Sequence, residues 1–443
     1  MTDTTATISA SEPDGAPRLA GLDILRGLGI VAILFMNIND MGGSLWVLFS
    51  GDIRHFGWSA ADQAVWAVRE VFANGTARCL LEMLFGAGMV ILAGRLTLKK
   101  YYWRNFVLFL FGVVHMFVLL WPGDILHTYG LAAMIAFLFR NRGPKLLLGV
   151  GLTMALLQLV LGGIGYVSET AKRAEVATAQ ARQSAGRPLT AADTKLLKDH
   201  AESAAKDARS DAKSKARIAA EDRARTGTFS SWAGSAWDTT LKIQGKALEL
   251  LFVLEAATTM LIGAALYKWG VLQGARSRAF YVRLTLVAYA IGLGSRTVGA
   301  IDDMRFDGAP SILWSLDEVA RLATTLGHVG LVYLLLATVT GARLLKPFEA
   351  AGKTALSVYV LQTIICLWII YPPFALGLYG TQGWAAMMAT ALAVSIVVLA
   401  IANWYAARFT IAPVEWAWRS IVEGRRLPIG RRGVERVKGP VAV

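Results

Sequence analysis

Apolar runs of about 20 residues recur along most of this chain, and a helix of that length spans the hydrocarbon core of a bilayer. Only 17% of its 443 residues are charged, whereas an ordinary soluble domain carries about a quarter. Mean hydropathy is +0.48. The fold class this predicts is all-α: a polytopic membrane protein with about ten transmembrane helices. The expected spans are 22–40, 70–94, 102–121, 123–139, 145–166, 247–268, 279–297, 316–340, 353–371 and 383–405.

The charges between the runs give an independent reading. Every second connection is basic: Arg95, Lys99, Lys100 and Arg104 in one, and Arg140, Arg142 and Lys145 in the next. The alternate connections WPGD and YPPFALGLYGTQG hold no Lys or Arg. By the positive-inside rule both termini are cytoplasmic and the turn at Trp121–Asp124 faces outward. The first residues are polar, with no basic n-region leading into an apolar one, so they read as a tail rather than a cleaved signal. The expected location is the bacterial inner membrane, crossed many times.

This divides the chain into a disordered cytoplasmic tail (1–20), an N-terminal bundle of spans 1–5 (21–167), an insertion (168–245), a C-terminal bundle of spans 6–10 (246–407) and a basic cytoplasmic tail (408–443). The insertion is rich in Ala, Lys, Arg, Asp and Glu, with helical i,i+4 pairs such as Glu202/Lys206, Asp211/Lys215 and Glu221/Arg225. It reads as a solvated helical hairpin on the periplasmic side, or as a surface for a periplasmic partner. The net charge of +14 fits basic loops facing anionic lipid. No nucleic-acid motif accompanies it. Cys79 and Cys366 fall inside apolar runs, and no Cys or His spacing resembles a metal site, so no metal is expected.

Six stretches, in order, resemble the YeiB-like family of bacterial membrane proteins: GLDILRGLGIVAILFMNI (21–38), ARCLLEMLFGAG (77–88), GVVHMFVLLWPGDILHTYG (112–130), TMLIGAALYKWGVL (259–272), GKTALSVYVLQTIIC (352–366) and FTIAPVEWAWRS (409–420). Lys353, Val358 and Ala412 depart from the usual Arg, Asn and Gly, and Val358 removes a polar contact. The resemblance implies a fold related to transmembrane acyltransferases, among them heparan-α-glucosaminide N-acetyltransferase. Those enzymes take an acyl group from cytoplasmic acyl-CoA to an acceptor across the membrane. Acetyl-CoA or another acyl-CoA is thus the implied donor, a hydroxyl or amine on a periplasmic acceptor the implied target, and a homodimer an implied assembly.

His115 stands about six residues, roughly 9 Å, from the outer end of its span. As a neutral imidazole it can take a proton from an acceptor attacking a thioester, with Asp124 orienting it. The plain alternative is a buried, satisfied histidine beside a helix-capping aspartate. His127 reads as Asp124's local neighbour. His55, in RHFGWSAAD (54–62), is a competing base, since the lysosomal enzyme has a similar His-Trp-Asp order. For the donor, Asp23 and Arg26 open the first span, with Asn37 on roughly the same face; Arg26 is suited to a phosphate. Arg78 can pair with Glu82 in the second span. Arg321 and His328 share a face of the eighth, with Asp317 and Glu318 nearby. Tyr359 and Gln362 share a face of the ninth and suit either an acyl channel or interhelical bonding. Intramembrane charges fit a solute transporter or exporter equally well.

Overall fold

The computed structural model describes residues 20–244, 247–306 and 308–430; the tail before residue 20 and the basic residues from 431 onward lie outside the described residues. Among the described residues the chain is all-helical, apart from an isolated bridge between Phe409 and Gly430. Among the described residues, seven helical stretches are long and apolar enough to cross a membrane. They are α1 (Ala20–Gly42), the α3–α4 stretch (Ala60–Phe72 and Thr76–Ala93), the α7–α8 stretch (Pro144–Gly151 and Thr153–Ser184), α11 (Ala247–Lys268), α12 (Arg278–Asp303), α13 (Leu313–Leu336) and α16 (Trp384–Arg408). A short helix, α2 (Val47–Ser50), follows α1. The protein is therefore a multi-pass, all-helical membrane protein.

An eighth stretch qualifies as a bent pair: α14 (Val339–Lys353) and α15 (Ala355–Thr363), with its continuation to Ile370, meet at 83°. The two other expected spans fall on α5 (Leu98–Phe117) and α6 (Leu126–Ala136). Neither qualifies alone: α5 opens with Lys99, Lys100 and Arg104, and α6 is eleven residues long before a 3-10 turn at Phe137–Phe139.

Helix starts follow ordinary local chemistry. Ser59 and Thr190 each form a reciprocal capping box with an aspartate three residues on, and Pro144 and Pro413 occupy first-turn positions where their missing N–H costs nothing. The 83° break is held by a carboxylate. Glu415, in α17 (Pro413–Glu423), accepts from the Leu356 and Ser357 amides at 2.7 and 3.3 Å and from the Ser357 hydroxyl at 2.5 Å. It thus caps the start of α15 from another helix, where amides and helix dipole favour negative charge. We expect Glu415→Ala to destabilise the protein by about 1–2 kcal/mol, read as a lowered detergent-phase Tm, with Glu415→Gln recovering part of the loss. An unchanged Tm would show that the break holds without this cap.

The insertion is continuous with the bundle. α8 runs unbroken past residue 168 to Ser184, and α9 (Ala191–Arg225) returns alongside it as a largely solvated hairpin. Its last turns are not solvated. Arg225 donates to the carbonyls of Met41 (2.7 Å), Gly43 (2.9 Å) and Asp40 (3.2 Å), the orphan acceptors at the end of α1. Glu221 accepts from Ser44 at 2.5 Å, and Tyr379 donates to Asp222 at 2.7 Å. α10 (Phe229–Ile243) then lays Trp232 against Trp368 and Phe374, and Trp237 against Phe117. The insertion thus closes over one end of the bundle, the end to which the turn after α5 belongs.

Candidate active site

α5 ends where WPG turns the chain: Leu120 takes a positive φ of 61°, and Pro122 cannot continue the helical ladder. The turn carries Asp124 back over the last turns of α5. Gly112 makes this possible, because a Cβ there would run into the His127 amide and the Asp124 carboxylate. His115, one helical turn on from Gly112, is then in contact with the turn.

His115 is 1% exposed. Its Nδ1 lies 2.7 Å from Asp124 Oδ1 and its Nε2 2.9 Å from Thr363 Oγ1. Asp124 Oδ2 receives the His127 amide at 2.9 Å and His127 Nδ1 at 3.0 Å. A carboxylate surrounded by donors acts as acceptor only, so Nδ1 of His115 carries a proton; in the neutral imidazole Nε2 is then the acceptor of the Thr363 hydroxyl, which also faces the Tyr359 carbonyl at 3.5 Å. Tyr359 packs edge-on against the imidazole with ring centroids 4.9 Å apart, and its hydroxyl accepts from Trp121 Nε1 and the Ile125 amide, each at 3.2 Å. The lone pair at Nε2, the oriented ring and the adjacent hydroxyl are the elements of general-base chemistry.

One feature distinguishes this arrangement from an open site. The cavity beside it, lined by Leu120, Trp121 and Pro122 and by Glu221, Arg225 and Trp232 of the insertion, measures about 10 Å³. That is room for about one water. The region around Thr363 also departs from α-helical geometry, since Ile364–Ile370 form a π-helical turn directly after it. Such turns are frequent at functional sites.

The expected site residues divide into separate places. His115 and Asp124 meet, and Tyr359 joins them. His127 does more than neighbour Asp124: its Nε2 is 3.1 Å from both Gln244 Oε1 and Glu249 Oε1. His55 is elsewhere, 3.8 Å from Asp222, on a groove of about 610 Å³ shared with Asp302, Asp303 and Trp314. Asp23 and Arg26 pair at 2.8 Å at the opposite end of α1 from the insertion. Asn37 is half-buried on α1. Gln362 donates to the Ile30 carbonyl at 3.0 Å, a bond between helices.

Arg78 belongs to a different cluster. It reaches Glu255 at 2.9 Å and Glu82 at 3.6 Å, while Arg321 contacts Glu82 (3.2 Å), Glu318 (2.6 Å) and Glu255. Arg321 has Glu318 beside it as its spacing suggests, but His328 turns away to Tyr289 (2.8 Å) and the Phe72 carbonyl (2.9 Å). At the far end of the bundle, Arg104 stacks 3.9 Å over Trp418 and lies within electrostatic reach of Arg26 and Arg419. Sequence reasoning did not single out Thr363, Gln244, Glu249 or Glu255. Thr363 has no local signal, because its partner lies 248 positions away. The two glutamates do have one: they interrupt the apolar run ALELLFVLEAATTMLIG six residues apart.

Comparison with known proteins finds likeness along nearly the whole chain. A family model described as "Protein of unknown function (DUF418)" matches residues 266–425, the part that holds Arg321, Tyr359, Thr363 and Glu415. The uncharacterized protein YxaH of Bacillus subtilis (strain 168) is 28% identical over 431 residues, covering 94% of this chain and 96% of that protein. The uncharacterized protein YeiB of Escherichia coli (strain K12) is 27% identical over 414 residues, covering 90% and 95%. With likeness running nearly end to end in both, the chain is similar throughout to YxaH and YeiB, and its C-terminal part matches the DUF418 model.

Proposed function

We propose that the protein is an acyltransferase of the bacterial inner membrane that moves an acyl group, acetyl first among them, from cytoplasmic acyl-CoA to a hydroxyl or amine of a periplasmic acceptor. The observation that carries this reading is the buried Asp124–His115–Thr363 chain, with Nε2 held as a proton acceptor. In the ten-span topology, with both termini inside, the turn at Trp121–Asp124 faces the acceptor side and the insertion covers it. An acceptor hydroxyl or amine takes the position of the Thr363 hydroxyl at Nε2, gives up its proton as it attacks the thioester carbonyl, and the CoA thiolate leaves. Asp124 holds the ring and stabilises the imidazolium. At the inner face, Arg26, Arg104 and Arg419 gather positive charge suited to the phosphates of the donor. Tyr359, Asn37 and Gln362 lie between the two ends without lining an open channel.

The direct test is calorimetric binding of acetyl-CoA to the purified protein in lipid nanodiscs. We expect saturable binding, weakened about tenfold or more in Arg26→Ala, as loss of a charge-assisted contact to phosphate predicts. Absence of binding by acetyl-CoA, longer acyl-CoAs and free CoA would remove the acyltransferase reading. A solute transporter would then stand. The network of Arg78, Glu82, Glu255, Glu318 and Arg321 inside the bundle favours that second reading, because ionisable groups at membrane depth mark ion and solute paths.

A further inference from the structure

α4 and α11 cross with almost no space between their backbones. A Cβ at Gly86 would run into the Met260 carbonyl, and one at Gly263 into that of Met83. This close approach, of the kind small residues permit between membrane helices, brings Glu82 of α4 against Glu255 of α11. Both carboxyls meet the same two guanidinium groups, Arg78 and Arg321.

The charges around them do not balance. Arg78 and Arg321 supply two guanidinium groups, and Glu82, Glu255 and Glu318 supply three carboxyls in direct contact with them. The remaining groups facing the pair do not close the gap. From α13 and α12, Asp317 and Arg296 approach Arg321 with opposite signs. From α6, the Tyr129 hydroxyl donates to the Arg78 carbonyl at 3.0 Å, and Cys79 sits on α4 itself. The ionisable residues of α1, which also packs on α4, are Asp23, Arg26 and Asp40, at its two ends.

A second observation points the same way. Glu82 Oε1 and Glu255 Oε2 are buried oxygens that accept no hydrogen bond, although both lie beside Arg78. Two carboxylates held against the same two guanidiniums, each with an unsatisfied buried oxygen, repel one another in a low dielectric; one proton shared by them relieves the repulsion.

We propose that Glu82 and Glu255 share one proton, so that the network spanning α4, α11 and α13 is a proton-binding site within the bundle. Arg78, a quarter exposed, is the most open member of the network. Loss of that proton leaves three carboxylates against two guanidiniums and weakens the contact between α4 and α11. A protein with such a site couples proton uptake to the packing of those two helices. The inference stands apart from acyl transfer.

The test is infrared difference spectroscopy of the full-length protein in nanodiscs. We expect a protonated-carboxyl C=O band at neutral pH that shifts on ¹³C-glutamate labelling and in D₂O, and that disappears in both Glu82→Gln and Glu255→Gln. The labelling arm needs no variant, so a substitution that fails to fold leaves the question decidable. Absence of any glutamate-derived protonated band at neutral pH would overturn the proposal, as would a band unchanged by the Glu82 and Glu255 substitutions.

Discussion

Replacing His115 with alanine is expected to lower acyl transfer at least a hundredfold while donor binding at the opposite end of the bundle is retained, since general-base groups contribute about 10²–10⁴ in rate. The expectation rests on Nε2, which accepts from a hydroxyl at 2.9 Å while Nδ1 is committed to Asp124 at 2.7 Å. Asp124→Asn preserves shape but removes the charge that orients and supports the imidazolium, so it should reduce turnover nearly as far. Thr363→Val separates roles: it removes the hydroxyl at Nε2 and leaves the base in place, so transfer should survive in part. Each change also strips a buried partner, at a cost of about 1–3 kcal/mol, so rates must be measured per folded protein. The distinguishing readout is the split between rate and donor binding. Loss of the base lowers the transfer rate with acetyl-CoA affinity unchanged, whereas a general structural loss lowers both. If His115→Ala keeps its rate per folded molecule, the histidine is a packed core residue and the site lies elsewhere, with His55 and its groove next in line.

What the sequence makes legible is what is local or periodic. The apolar runs announce α1, α11, α13 and α16. His115 and Asp124 are legible as a pair because nine residues and a WPG turn separate them, so any helical hairpin there brings them near each other. Thr363 and Glu249 are not legible in the same way. Their positions depend on how α15 and α11 pack beside α5 and α6, and packing between membrane helices is set by shape and small residues rather than by a readable period. The insertion illustrates the same limit. Its charge pattern predicts solvated helices, which holds for most of α9, yet Glu221 and Arg225 form their pair at 3.5 Å while buried against the end of α1. An i,i+4 pair has the same spacing on a wet face and in an interface. Only the unpaired carbonyls of Met41 and Gly43 explain why this one is buried.

Arg321→Met is expected to be the most destabilising single substitution in the membrane interior. Arg321 is 3% exposed and contacts three carboxyls, from α4, α11 and its own helix, with Thr259 Oγ1 at 3.2 Å as well. Methionine fills much of the same volume but leaves Glu82, Glu255 and Glu318 with Arg78 alone. Breaking a buried ion pair by deleting one partner typically costs about 3–5 kcal/mol, because the surviving charge has lost both water and counter-ion. The Tm in nanodiscs should therefore fall sharply, or the variant should fail to accumulate. Glu82→Gln should do far less harm, since the amide keeps the shape of a protonated carboxyl and removes the excess negative charge. The double variant is the informative one: with Glu82 already neutral, Arg321→Met strands one fewer carboxylate, and part of the lost stability should return. Strict additivity of the two changes would mean that Glu82 and Arg321 do not share a charge balance. The network would then be three separate ion pairs, each holding two helices together on its own.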